Sequence, residues 1–475
     1  MGDQPEDPKK DLKISAYILA GLAMMLNIRL SYSSAPYALI RFQLPENLFS
    51  VFVRRMASAL ELWCLPSMLL GNLMDIIRKH AFTDNKKKEA WGYHWQSIFW
   101  SWANFLTFVI LLFVYRGGGE HGRLTMFYWI IAISGFVFGI NMVMVYALEA
   151  KYLTWYMIGE NSFPAVTSLM HYITTLIFGN RRKWNSDYVI VYIDIWVAII
   201  ISLVAAAVWT GAYSSNYDGG ADFGATPNQN LISPVAMVIV GMGLVYAIYP
   251  GIAPGMIVPF YLIDKIEMVL LIATAVPPII IGILRATDTK GFPGGPQTPT
   301  CKWYNDTTDG NGSFWHAFDL LIVLKISLAG IFIYSLHYRD SSLARSIVNQ
   351  PKMSTALSIL FYMCHEILLA IGFPGIFGGN SGGDQVMLPA QYVGALFMIF
   401  LAFYSEGYII EYKSHDPAHW PTDGMTPWNA LCYWAKRASK ITNHNLESLF
   451  TTNLHRYLNF KSLHYVLIHI IHFKI

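Results

Sequence analysis

A chain of 475 residues that is 54% hydrophobic and only 13% charged, with a mean hydropathy of +0.39, has too little polar surface to cover a soluble globule. Its formal net charge of +3 is too small for a nucleic-acid surface, and four cysteines are too few for a disulfide framework. The composition describes an all-α polytopic membrane protein whose partner is the lipid bilayer, with aromatic residues, 15% of the chain, crowding the interfaces.

Residues 1–11 alternate acidic and basic groups and contain no short apolar stretch with a cleavage site. An uncleaved first span behind a cytoplasmic N-terminal segment is therefore expected. Apolar segments of bilayer length, about 20 residues each, follow at 12–33, 52–77, 95–115, 124–148, 153–178, 188–212, 231–258, 259–286, 315–338, 353–377 and 388–412. These about eleven transmembrane helices (10–12) divide into an N-terminal bundle of about six spans over 12–212 and a C-terminal bundle of about five over 231–412. The polar loop 213–230 separates them, and 413–475 forms a tail.

Short loops rich in Lys and Arg stay in the cytoplasm. Arg78, Lys79 and Lys86 to Lys88 place the loop after the second span there, and Lys413, Lys436, Arg437 and Lys440 do the same for the tail. The loop 213–230 has no Lys or Arg, and the loop 287–314 carries the two sequons, Asn305-Asp-Thr and Asn311-Gly-Ser, so both loops are expected outside as part of a glycoprotein. Eleven crossings conflict with both termini being inside. Either a segment between Trp95 and Ala286 is re-entrant, or the Arg181, Arg182, Lys183 cluster lies outside against the rule.

The most unusual stretch is 231–286, two apolar spans broken by Pro250, Gly251, Pro254, Gly255 and Pro259. Proline removes a backbone donor, so a helix here must end or unwind. Backbone freed at membrane depth is tolerated only where protein or a wet cavity receives it, which makes an interrupted span a pointer to a solute site. Beyond the break stand Asp264, Lys265 and Glu267, and deeper in later spans Asp319, Lys325, Glu366 and Glu406. Ionisable groups at such positions are candidates for a solute path. His365 beside Glu366 has the chemistry of a proton relay, which would also enlist Glu406, and equally that of an interhelical hydrogen bond. The amides Asn27 and Asn141 can bond a neutral polar solute or simply join helices. His415 and His419 have metal-ligand spacing only on a helix, which Pro417 opposes, and the histidines at 464, 469 and 472 belong to an apolar tail read as interfacial. Neither Gly-rich run, at 117–122 or 378–383, is followed by the Lys-Ser/Thr of a phosphate cradle, and no nucleophile-and-base motif indicates an enzyme or a bound cofactor.

Several of these residues resemble one family. Ile18-Leu-Ala-Gly21 through Asn27 is similar to the opening helix of equilibrative nucleoside transporters, particularly the branch found in apicomplexan parasites. Gly135-Phe-Val-Phe-Gly139-Ile-Asn141 resembles the family's fourth helix, and Tyr249-Pro250-Gly251 the Phe-Pro-Gly near the end of its seventh. Phe318-Asp319 looks like the Phe-Asp of its eighth, and 401–408 like its tenth. The family's Arg four residues after that Asp is replaced by Val323, with Lys325 the nearest base. In an alternative register Asp264 is the family aspartate and Met268 stands at the basic position. The resemblance implies a major-facilitator-like bundle at the plasma membrane. It would carry nucleosides or nucleobases passively, with Asp319 and Lys325 bonding ribose hydroxyls and Asn27, Asn141 and Tyr249 lining the path. The chain also looks like the expanded multispanning protein families of piroplasms, which implies a surface or scaffold role without transport. A proton-coupled carrier of another small polar solute is a third reading.

Overall fold

The computed structural model describes residues 9–449 apart from 28–29, 31–36, 39–40, 43–48, 82–85, 118–120, 181, 215–225, 288–311, 378–381 and 416–419. Every regular element among the described residues is helical: α1 (Lys10–Met24), α2 (Phe49–Ala81), α3 (Lys86–Gly117), α4 (His121–Leu148), α5 (Leu153–Phe178), α6 (Ser186–Tyr213), α7 (Ile232–Ile248), α8 (Phe260–Ala273), α9 (Val276–Thr287), α10 (Asp319–His337), α11 (Ser342–Val348), α12 (Pro351–Phe377), α13 (Gly383–Lys413) and α14 (Pro427–Leu449). Nine spans among the described residues are long and apolar enough to cross a membrane, so the protein is multispanning and integral to a bilayer. By its internal contacts the chain divides into two compact units, Met1–Ala221 with Leu449–Ile475, and Asp222–Ser448.

The first unit is an up-and-down bundle held by glycines. Lipid offers no hydrophobic drive for helix association, so close backbone approach at small residues supplies the packing. A Cβ at Gly159 on α5 would stand 2.0 Å from the Ile18 carbonyl oxygen on α1, and one at Gly21 would stand 2.2 Å from the Tyr156 carbonyl oxygen on α5. Gly135 and Gly139 on α4 fit against α2 in the same way, facing the carbonyls of Leu60 and Cys64. These contacts account for two of the motif stretches recognised in the sequence.

Both ends of this bundle are identifiable. At one end Lys13 pairs with Glu149 at 2.7 Å, Lys9 donates to the Gly211 carbonyl at 3.1 Å and Arg78 covers the Tyr93 ring. The start of α1, the end of α2, the start of α3 and the ends of α4 and α6 therefore share that end. At the other, Arg41 donates to the Arg116 carbonyl and Tyr115 stacks on Tyr188. The chain thus leaves the unit at the end where it entered, which corrects the expectation that the N-terminal segment is inside and the loop starting at Tyr213 outside. Helices α2 to α6 run end to end, whereas α1 reaches the middle of the bundle, where Met24 and Asn27 meet Asn141 and Ser134. The exposed Arg182 and Lys183 lie at the end opposite Arg78, so one of these two basic clusters departs from the charge rule.

In the second unit α7 stops at Tyr249, and 249–259 forms a partly buried passage without α-helix, containing a π-helical turn at Ala253–Ile257. The freed backbone groups are paired again: Gly255 N donates to the Pro250 carbonyl at 2.9 Å and Met256 N to the Ile252 carbonyl at 3.1 Å. Pro259 then starts α8. The expected single span over 259–286 is two short helices, α8 and α9, broken at Thr274 and Ala275. Ile266 and Leu270 pack with Ile248 and Tyr249, whereas Ile281 packs with Trp315 and Leu368, so α8 and α9 together traverse the unit. At one end Ser233 bonds Asp319; at the other the Tyr412 hydroxyl donates to the Leu336 carbonyl. Gly372 and Gly394 bring α12 and α13 close against α7.

Candidate functional site

The most unusual chemistry in the second unit is gathered at Gly241, midway along α7. Lys325, wholly buried on α10, donates from Nζ to the Gly241 carbonyl at 2.6 Å. His365 on α12 reaches the same oxygen through Nδ1 at 2.8 Å, and since a carbonyl only accepts, Nδ1 carries the proton. The absence of a side chain at Gly241 admits α12, whose Leu368 and Leu369 are the nearest atoms to its missing Cβ. The Phe361 ring, one turn before His365, lies with its centroid 5.1 Å from the ammonium, and Glu366 acts on it by Coulombic attraction. Tyr362 packs edge-on against both His365 and Tyr249, at 5.6 and 4.8 Å between centroids, and so joins the broken segment to the cation.

This arrangement keeps a positive charge inside a helical core by sharing one helical carbonyl between two donors. An ammonium has three N–H groups, and one is engaged with Gly241. No carboxylate forms a salt bridge with Lys325 among the described residues. The amide oxygen of Gln391, buried on α13 one turn before Gly394, has no hydrogen-bond partner among the described residues either.

The other residues expected at a solute site are placed differently. Asp319 sits in the first turn of α10 with its side chain 40% exposed, accepting from Ser233 at 2.6 Å and facing His316 at 3.4 Å. It lies six residues, about 9 Å along the helix, from Lys325. Glu406 is half-buried on α13, nine residues or about 14 Å beyond Phe397, which packs on Gly243. Asp264 and Glu267 fall on α8, with side chains outside the described residues; Asn305, Asn311 and His419 also lie outside them. His415 pairs with Glu411 at 3.0 Å.

Asn27 and Asn141 share a seam in the first unit. The Asn27 amide faces Ser134 Oγ at 3.4 Å and the Asn141 amide faces Met24 Sδ at 3.5 Å, while the Asn141 amide oxygen is buried without a partner among the described residues. Asn104, which the sequence reading passed over, joins them by pointing its amide at the Ala23 carbonyl at 3.5 Å. Its signal was a lone amide in the apolar run of α3.

No protein-family model matches the chain, and no curated protein sequence matches it.

The first unit also contains a pair that sequence reasoning missed on one side. His171 Nδ1 lies 2.7 Å from Asp194 Oδ2, joining α5 to α6 beside a cleft lined by Leu26, Leu30, Thr167 and Met170. The cleft has a volume of about 20 Å³, room for about one water. Asp194 is an acid in the apolar run Val-Tyr-Ile-Asp-Ile-Trp-Val, a signal legible in the sequence. His171, a lone histidine in Leu-Met-His-Tyr-Ile, carried the same kind of signal.

Proposed function

We propose that the protein is a carrier that moves nucleosides or nucleobases across the membrane by alternating access. The observation that carries this reading is the Lys325 ammonium, buried at membrane depth midway along α7 and held by a neutral carbonyl. A buried cation without a salt-bridge partner is costly as a purely structural device, because hydrophobic replacements of buried ions are often neutral or stabilising. Its remaining donors suit the hydroxyl and carbonyl oxygens of a neutral polar solute, and the buried Gln391 oxygen of the same unit suits a solute N–H or O–H group. Alternating access requires two bodies, and the chain has two compact units.

Helix order supports the family reading and changes its register. Along the chain α4 is the fourth crossing and α7 the seventh, where Gly135 to Asn141 and Tyr249-Pro250-Gly251 have their counterparts. The broken pair α8 and α9 is then the eighth crossing and α10 the ninth. This ordering favours Asp264 over Asp319 as the counterpart of the family aspartate, and makes 401–408 part of the eleventh crossing.

The test is uptake of labelled adenosine, inosine, uridine and hypoxanthine into cells lacking their own carriers, with surface expression measured in parallel. Saturable uptake that unlabelled nucleoside competes away is the expected result; surface-localised protein with no uptake above background would overturn the proposal. A second reading, proton-coupled transport, rests on His365 sharing the Gly241 carbonyl with Lys325. It requires uptake to rise as external pH falls, and a flat response would dismiss it. The complete enclosure of Lys325 also suits a non-transporting multispanning protein in which the cation pins α10 to α7.

A further inference from the structure

α14 follows the last long span, and we propose that its outer face is a docking surface for a membrane leaflet of anionic lipid. Helix α14 crosses α13 at Gly407, where a Cβ would stand 2.4 Å from Thr442 Oγ1 and 2.5 Å from the Ala438 carbonyl oxygen. Gly407 is six residues, about 9 Å, before the end of α13 at Lys413, so the crossing lies at the level of the span's last turns. The surroundings have the character of a membrane interface. Trp420, Trp434, Tyr408, Tyr412 and His337 form one aromatic cluster there, with Trp420 and Trp434 centroids 5.2 Å apart.

Trp434, Ala438 and Thr442 form the buried stripe of α14, and Arg437 is tied to Glu411 at 2.5 Å. That bond holds the Arg437 guanidinium above its ordinary pKa, fixing α14 to the end of α13. A different stripe faces outward: Met425 just before the helix, then Trp428, 70% exposed, Leu431, 58% exposed, and Cys432. Trp428, Leu431 and Cys432 recur at the i, i+3, i+4 spacing of one helical face. Exposed Lys436 and Lys440 border them, and no Asp or Glu occurs between Asp423 and Glu447.

An apolar wedge led by Trp and flanked by lysines, on a helix without an acid before Glu447, is complementary to acyl chains below and negative headgroups above. Lys436 and Lys440 supply the positive charge that an anionic leaflet attracts. The inference stands on α14 alone and does not depend on what the protein transports.

The full-length protein is placed in nanodiscs of phosphatidylcholine with or without phosphatidylserine, and amide hydrogen exchange is followed across α14. Exchange over 428–440 is expected to slow at least about three-fold with phosphatidylserine, and to lose that difference in a Lys436→Glu, Lys440→Glu double variant or at high salt. Both lysines are exposed, and unchanged exchange in α13 would show the variant to be folded. Equal exchange in the two lipids, equal protection in both, or a difference that survives the double variant would each overturn the proposal. So would protection that appears only when cytosolic protein is added.

Discussion

Both units hold helices together in lipid by close approach at glycines, and they differ in what that approach exposes. In the first, glycines at 21, 135, 139 and 159 let backbones touch, and the polar groups in the seam are neutral amides and hydroxyls. In the second, a glycine at 241 exposes a carbonyl that receives a buried ammonium and an imidazole. Close approach is a packing device whose loss is steric and immediate. A shared carbonyl around a cation is a chemical arrangement whose loss need not disturb packing, and the two kinds of contact are therefore separable by mutation.

The comparison breaks most severely at the glycines. Gly159→Val forces two backbones apart and is expected to cost about 3 kcal/mol or more. Folded protein, measured by size-exclusion of the fluorescently tagged chain, should largely disappear; a normal monodisperse peak would remove the close-approach account. Smaller is the effect expected of Asp194→Ala, which leaves His171 without its 2.7 Å partner and should cost about 1–3 kcal/mol. A melting temperature in detergent equal to that of the parent would show that the pair contributes nothing to stability. Smallest is Asp319→Ala, which removes a half-exposed bond to Ser233 and a favourable charge in the first turn of α10. It should cost about 1 kcal/mol and, with Asp319 well separated from Lys325, leave transport within about two-fold of the parent. Complete loss of uptake at normal surface level would return Asp319 to the centre of the site.

Much of the architecture was legible because hydropathy follows directly from the solvent. The break at Tyr249 to Pro259 was readable for a similarly local reason, three prolines in eleven residues. What escaped was anything set by partners distant in sequence. Lys325 was visible as a misplaced charge, but its partner is a main-chain oxygen 84 residues away, which no side-chain pattern encodes. The family resemblance implied that Asp319 and Lys325 act on one solute, and six residues of helix, about 9 Å, separate them. The N-terminal segment and the loop after Tyr213 were assigned to opposite sides because the loop's lack of Lys and Arg outweighed the even number of helices before it. The break at Thr274 and Ala275 had no comparable local signature, since Pro277 and Pro278 fall in the first turn of α9, where proline is tolerated.

The central claim is that the cation on Gly241 serves a solute rather than the fold. Lys325→Met keeps the length and apolar stem of the side chain while removing the charge, and replacing a buried ion in this way is often neutral or stabilising. Nucleoside uptake by this variant, normalised to its surface level and compared with the parent, is the most direct measurement. The account predicts a normally expressed protein whose uptake falls at least about ten-fold, a loss of roughly 1.4 kcal/mol or more in transition-state stabilisation. Uptake equal to the parent's in a normally expressed Lys325→Met protein would contradict it and leave Lys325 as a pin between α10 and α7.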